Sequence, residues 1–302
     1  MTIDINICYK DRPTELGLLL QSLRTQTYQD YDIYIMDDAS GTQIQNYYFL
    51  NYLIQRLKFE RHRVNIFRNP VSKGVAMGRQ KLAEHTIKEG KGEYICRLDD
   101  DVILDERYLE KLIEVIKSGY DLASGITPPV VSPMMPRDNK FIRPVINRVI
   151  LNAEGKFIMN GDDCGYTYLN EEILPTDHFR SCALYKKEIH KKVEYEDTIT
   201  PYGFREEQFF SFRCIVAGYK LGVHTGAISW HLVAPSGGER RPDANQLAMQ
   251  NQILLNRLAK KLHKEHGDFI EAYHKNLGLQ ETEEDKFRNI NKNNNLIYSS
   301  ED

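Results

Sequence analysis

The first 125 residues repeat one alternation. Short runs with every second position apolar give way to longer runs with apolar positions three or four apart. The first period belongs to strands and the second to helices. Ile3 to Tyr9, rich in isoleucine, is a first strand. Lys10-Asp11-Arg12-Pro13 turns the chain, and Pro13 suits the first turn of a helix with an apolar face of Leu16, Leu19, Leu20 and Leu23. Tyr31 to Met36 is a second strand, ending in Asp37-Asp38-Ala39-Ser40-Gly41. Gln43 to Leu57 is a helix and Val64 to Phe67 a third strand. A loop, Asn69 to Gly74, leads into a helix that runs to about Lys88. Tyr94 to Leu98 is a buried strand that runs straight into Asp99-Asp100-Asp101. After a further apolar run come a helix from Asp105 to Lys117, with Leu109, Leu112, Ile113 and Ile116 inward, and a strand from Tyr120 to Gly125. This order predicts an α/β fold, a mainly parallel sheet with helices on both faces.

At Thr127 the pattern breaks. Thr127 to Pro136 holds four prolines and reads as a crossing segment. Residues 138 to 180 show no clear period beyond a loop at Asn160 to Gly165. Ser181 to Tyr185 is a strand. Pro201 to Glu207 is a loop into a helix, Gln208 to Ala217, capped by Gly218. Tyr219 to Val223 and Ala227 to Trp230 are short strands, and His231 to Gly238 is a loop. Ala244 to Lys264 is a helix with Leu247, Leu254, Leu258 and Leu262 on one face. The tail from Glu281 is polar, and its composition predicts disorder at its end. No internal repeat is present.

Composition narrows the class. The chain has 302 residues and a net charge of -3, which favours neither nucleic acid nor a strongly acidic partner. Five scattered cysteines, Cys8, Cys96, Cys164, Cys182 and Cys214, form no CxxC pair and fit reduced thiols in a cytosol. No apolar run approaches membrane-spanning length, and a strand by Ile3 leaves no room for a signal peptide. The expected location is cytoplasmic.

The acids stand where chemistry is expected. In an α/β sheet, ligands sit at the C-terminal ends of strands. Asp99-Asp100-Asp101 at such an end suits a hard divalent cation, Mg²⁺ or Mn²⁺, which takes oxygen ligands and bridges to phosphate. A solvated acidic turn that caps the next helix explains the same residues. Tyr9 and Asp37/Asp38 end two other strands, so all three groups are expected along one rim.

Several segments together resemble one family. They are Cys8-Tyr9-Lys10-Asp11-Arg12-Pro13, Gln26-Thr27-Tyr28 and Tyr31 to Ser40 with its Asp37-Asp38 pair. They continue with Ser72-Lys73-Gly74 to Arg79-Gln80, Leu98-Asp99-Asp100-Asp101, and Glu206-Glu207 followed by Arg213 and Ala217-Gly218-Tyr219-Lys220. In order and spacing these resemble family 2 glycosyltransferases over roughly residues 3 to 240, with Ser72 and Gln80 departing from the usual asparagines. The resemblance implies a GT-A fold, a Rossmann-like sheet with a C-terminal acceptor region and helical tail. Residues 1–125 would form the nucleotide-sugar half, 126–240 the acceptor and catalytic-base half of the same domain, and 241–302 the C-terminal helix and tail. It also implies transfer with inversion from a nucleotide-sugar donor to a glycan or glycolipid acceptor. A glycolipid acceptor is compatible with peripheral association at the inner membrane surface.

Residue roles follow from that resemblance and from side-chain chemistry together. Tyr9 offers an aromatic face to a base, or is a surface tyrosine. Asp38 can accept from uracil N3–H, which points to a UDP-sugar, or can fill a turn role that Asp37 also suits. Arg12, Lys73 and Arg79 can meet the nucleotide or its phosphates, or lie on a solvated face. By resemblance Asp101 ligates the metal and Asp99 faces the nucleoside, with Asp99 a further metal candidate and Asp100 able to share either task. His231, after Trp230, is a further metal ligand or a structural histidine. Glu207 aligns with the general base, usually Asp, and Glu206 competes for the role. Both also suit a helix first turn. Ser236 to Arg241 can close over donor phosphates, and His178 and Trp230 can line the acceptor site. Two other readings remain: a sugar nucleotidyltransferase, against which the glycine-free turn Cys8 to Pro13 counts, and a nucleotide-sugar-binding protein without catalysis. Release of UDP, of pyrophosphate or of neither separates the three.

Overall fold

Isoleucines 3, 5 and 7 point to one side of the first strand and Asp4, Asn6 and Cys8 to the other, and this period of two sets up both layers of the molecule. The computed structural model describes residues 1–131, 147–159, 171–239 and 243–276. β1 (Ile3–Tyr9) lies between β2 (Tyr31–Asp37) and β4 (Tyr94–Asp99), with β3 (Val64–Arg68) beyond β2 and all four strands parallel. Ile3, Ile5, Ile7, Ile33 and Ile35 form the main core with the leucines of α1 (Pro13–Arg24), α2 (Tyr48–Phe59) and α4 (Tyr108–Lys117). On the opposite face Tyr34 and Met36 pack against Leu82 of α3 (Val75–Glu89), with Cys8 and Phe67 beside them. Helices therefore cover both faces, as the alternation predicts.

Beyond β4 the directions mix. The sheet continues through β10 (Ala183–Lys186), β6 (Leu122–Ile126), β11 (Leu221–His231) and β5 (Val102–Leu104), with β9 (Ile173–Pro175) also on β11. β10 runs antiparallel to both its neighbours, whereas β11 runs parallel to β6. The sheet resembles a parallel α/β sheet only in its first four strands.

Several boundaries shift for physical reasons. The apolar run after the three acids pairs with β11 as β5, so the next helix starts at Tyr108 rather than Asp105. The segment expected to be helical from Gln43 opens as a 3-10 turn at Ile44–Asn46, and α2 starts at Tyr48. The two strands expected at 219–223 and 227–230 are one strand with an irregularity between Val223 and Ile228. Gly226, within this irregularity, lets the Glu171 side chain approach the strand closely. A Cβ there would lie 2.6 Å from the Glu171 side chain. α5 (Glu206–Val216) begins two residues before Gln208, and Gly218 takes the positive φ expected of a C-terminal cap.

Two compact units are present. The first holds residues 1–148 and 161–255 and contains the whole large sheet. The second holds 149–160 and 256–302; its described part is the antiparallel pair β7 (Val149–Leu151) and β8 (Phe157–Met159) with residues of α6 (Ala244–Asn276). α6 extends past the expected Lys264, with non-helical geometry at His266. The Asn160 to Gly165 loop, residues 132–136 of the proline-rich segment, Arg240, Arg241 and the tail from Glu281 lie outside the described residues. Among the described residues no helix is long and apolar enough to cross a membrane.

His190 closes the core behind β10. It packs against Tyr185, Tyr195 and Phe210, and burial pushes its imidazole down from 6.5 to about 4. A base whose folded value is depressed stabilises the fold in its neutral form. That contribution is present above about 6.5 and is lost as pH falls through about 4. At ~1.4 kcal/mol per unit, this amounts to about 3 kcal/mol. Urea unfolding between pH 7 and pH 4 should show stability falling with acidity, and His190→Phe should flatten that slope.

Candidate active site

The rim expected from the sequence is set by strand register. Tyr9 pairs with Asp37, and Cys8 with Asp99, so the ends of β1, β2 and β4 lie side by side. They open on a cavity of about 270 Å³. Its lining includes Tyr9, Arg12, Asp38, Arg79, Asp99, Asp100, Asp101 and Glu207. Glu207 arrives from more than a hundred residues along the chain.

Two glycines make that arrival possible. Gly74, before α3, has φ +81, and a Cβ there would sit 2.3 Å from Pro201 Cα. Gly203 has φ +64, and its Cβ would meet Val75 at 2.0 Å. The loops 72–75 and 200–206 therefore interlock, Gly74 against the Pro201 backbone and Gly203 against the Val75 side chain, and both positions need a glycine's positive φ. Val75 N donates to Pro201 O (3.3 Å), and Thr200 N donates to Asn251 Oδ1 (2.7 Å), which pins the second loop from behind.

Arg79, one turn into α3, uses this proximity. Its Nη2 donates to Asp99 Oδ1 at 2.5 Å, and its Nη1 contacts Glu206 and lies 3.9 Å from Glu207 Oε2. Glu206 is 3 % exposed and does not line the cavity, whereas Glu207 does. The two adjacent acids are thus separated by geometry: Glu206 is an internal partner of Arg79, and Glu207 faces the open space. Burial alone would raise Asp99, but the guanidinium groups of Arg79 and Arg97 outweigh it and hold the carboxyl down at about 2.

Asp100 and Asp101 share a different cation. Arg12 Nη1 lies 2.8 Å from Asp100 Oδ1 and 2.9 Å from Asp101 Oδ2. Burial, with Asp101 beside it, still pushes Asp100 up to about 7 against the pull of Arg12. Asp101 also has His231 Nε2 at 3.3 Å from its Oδ2. The β5–β11 register explains this contact, because it sets His231 opposite Val102, the residue after Asp101.

Asp38 is held by its own protein, and Tyr9 faces the cavity rather than the surface. Asp38 accepts from Asn69 Nδ2 (2.7 Å), Ser72 Oγ (2.7 Å), Lys73 N (2.9 Å) and Gly74 N (2.9 Å). Four donors fill the sites a carboxylate offers, so Asp38 ties down the loop before α3, and reading a base would require Ser72 to turn away. Asp37 fills the turn role, accepting from Ser40 N and pairing with Arg68. Tyr9 is no surface tyrosine: it is buried in the main core at the cavity floor. Lys73 contributes its backbone, and its exposed side chain does not line the cavity. Neither His231, His178 nor Trp230 lines it; Trp230 Nε1 donates to Asp105 (2.8 Å).

Lys10, Arg205, Tyr202, Phe204 and Glu239 line the cavity without having been singled out from the sequence. Lys10 Nζ bonds Ser72 Oγ (2.9 Å) and Glu239 Oε1 (2.7 Å), closing the 236–239 loop over the β1–α1 turn. Lys10 and Arg205 each adjoin residues that were chosen, which is a usable signal. The partnership of Glu239 spans most of the chain and has no local sequence signal.

The donor set can be tested against a divalent ion. A carboxylate and an imidazole converge at Asp101 and His231, a combination that suits Mn²⁺. The Arg12 guanidinium already places one positive charge against Asp101. Among the described residues no group of three or more His, Cys, Asp or Glu side chains is arranged to hold a metal. Two protein ligands suffice for an ion that takes its remaining oxygens from substrate phosphates and water. The residues fit such an ion.

Residues 4–193 match the family described as Glycosyl transferase family 2. The chain belongs to this family. An uncharacterized glycosyltransferase of Haemophilus influenzae is 29 % identical over 115 residues, 37 % of this chain and 33 % of that protein. This family 2 chain superposes on the crystal structure of GalNAc-T7 with UDP, GalNAc and Mn²⁺ at a TM-score of 0.66 and 14 % identity, over 90 % of this chain and 57 % of that one. The likeness shows the shared GT-A fold. S. aureus TarS aligns at a TM-score of 0.48 and 12 % identity, over 84 % of this chain and 39 % of that one. The chain thus spans about a third of the curated relative and little over half of GalNAc-T7.

Glu206 gives a direct test of the division between the two acids. Glu206→Gln removes one charge from a buried pair, a change that typically costs about 3–5 kcal/mol. Urea denaturation should show a loss of this order, while Glu207→Gln, with its side chain 21 % exposed, should lose far less.

Proposed function

We propose that this chain is a metal-dependent, inverting glycosyltransferase that moves a sugar from a UDP-sugar to a hydroxyl of a glycan or glycolipid acceptor. Family membership supports the reaction class. The observation that carries the finer reading is the charge of the cavity. Asp38, Asp99, Asp100, Asp101, Glu207 and Glu239 line it against Lys10, Arg12, Arg79 and Arg205. An anionic diphosphate entering an acid-rich site needs added positive charge. Six acids against four cations leave the lining acidic.

Asp101 and His231 would hold the ion, Mn²⁺ or Mg²⁺. It would supply positive charge to the leaving diphosphate. Asp99, fixed by Arg79, would face the nucleoside side. Arg12 stands beside Asp100 and Asp101, and Lys10 lines the same cavity against Glu239, where cations offset charge developing on the phosphate oxygen. Glu207 is the proposed base. The acceptor oxygen attacks the anomeric carbon and its proton passes to the Glu207 carboxylate. The bond from that carbon to the diphosphate oxygen breaks, and its electron pair leaves with the UDP. A single displacement of this kind inverts the anomeric centre. The structure of GalNAc-T7 holds UDP and Mn²⁺, which supports the same choice of donor and metal here.

Positioned base catalysis contributes typically ~10²–10⁴-fold. Glu207→Gln should lower transfer by about that order while UDP with Mn²⁺ still binds in calorimetry. Normal turnover in this variant would place the base elsewhere. Asp101→Asn should abolish the Mn²⁺ dependence of UDP binding, and His231→Ala should weaken it. Full transfer activity in EDTA contradicts the metal assignment. Equal affinities for UDP, GDP and CMP contradict the uracil reading.

A further inference from the structure

α2 is apolar on two sides. Leu50, Ile54 and Leu57 pack inward into the main core. On the outer side, four and then seven positions apart, stand Tyr48, Tyr52 and Phe59, which are 80 %, 65 % and 78 % exposed. A surface helix ordinarily presents charged or polar side chains outward. Phe49 widens the patch: it lies over Gly17 of α1, where a Cβ would meet its ring at 3.0 Å.

Charge surrounds the C-terminal half of this face. Arg56, Lys58, Arg61 and Arg63 fall within eight residues, with Glu60 the one acid among them. Glu60 is already bound by Arg24 (2.5 Å) and Arg56 (2.7 Å), and Arg56 also stacks over the Phe59 ring at 5.4 Å. Lys58 and Arg61 are exposed. The patch is therefore locally basic on a chain whose net charge is -3.

We propose that the outer face of α2 docks this protein on an anionic lipid bilayer. Tyrosine and phenylalanine on one side of a helix, edged by lysine and arginine, match the requirements of a helix lying in the bilayer interface. The rings enter the headgroup boundary while the basic stems reach the lipid phosphates. A second copy of the chain is the less suited occupant. Two like-charged basic edges would meet across such a contact. The surface is separate from the cavity, so the inference stands or falls independently of the glycosyltransferase reading.

The test is flotation of the whole chain with vesicles of phosphatidylcholine alone, or with added phosphatidylglycerol. The chain should float with the anionic vesicles only and be released by salt. Combined Tyr48→Ser, Tyr52→Ser and Phe59→Ser should abolish flotation with an unchanged circular dichroism spectrum. Lys58→Gln and Arg61→Gln should each weaken it roughly fivefold, and this pair carries the test should the triple variant fail to fold. Absence of flotation with anionic vesicles, or equal flotation of folded variants and parent, overturns the proposal. A dimer in sedimentation velocity that the aromatic substitutions dissociate also overturns it, in favour of a second copy.

Discussion

The Arg79 guanidinium is the contact on which the arrangement of the cavity depends. It sits at the start of α3 and reaches Asp99 at the end of β4 and Glu206 at the start of α5. A buried arginine without carboxylate partners would be strongly unfavourable, and so would Glu206 without Arg79. Each therefore fixes the other's place. Because Glu206 is taken up in this way, the next residue along the helix is directed to the cavity. The interlocking of Gly74 with Pro201 and of Gly203 with Val75 allows the approach, and Arg79 stabilises it.

The same logic separates the three consecutive aspartates, which look equivalent in the sequence. Asp99 belongs to Arg79, Asp100 and Asp101 share Arg12, and Asp101 alone also meets His231. Burial acts on all three, but the cations divide unequally. Asp99 is held at about 2 and Asp100 is pushed up to about 7. One strand end thus carries a firmly ionised carboxylate beside one that resists ionisation.

The strands and helices up to residue 125 were legible because period two and period 3.6 are local properties. The rim was legible because parallel strands place their ends together. Reading failed where a side chain's partner is remote. Asp38 looks free in Asp37-Asp38-Ala39-Ser40, yet the loop from Asn69 to Gly74 surrounds it. Tyr9 suits either a base or the surface by its sequence, and its burial with Ile3, Ile5 and Ile7 beside the cavity removes the surface alternative. Lys10 was passed over because its partner Glu239 is 229 residues away. Glu206 and Glu207 could not be told apart by helix-dipole arguments, which favour both equally. Val102 to Leu104 was read as a bare apolar run because the strand that pairs with it comes over a hundred residues later.

The central claim is that one carboxylate, Glu207, works across the cavity from the acids that hold the donor, so that the sugar is displaced in a single step. The most direct measurement is the anomeric configuration of the transferred sugar, read by proton nuclear magnetic resonance on product formed from a donor of known configuration. The account predicts inversion. Retention of the donor's configuration would contradict it, because retention needs a second displacement or front-side attack, neither of which this assignment of Glu207 provides.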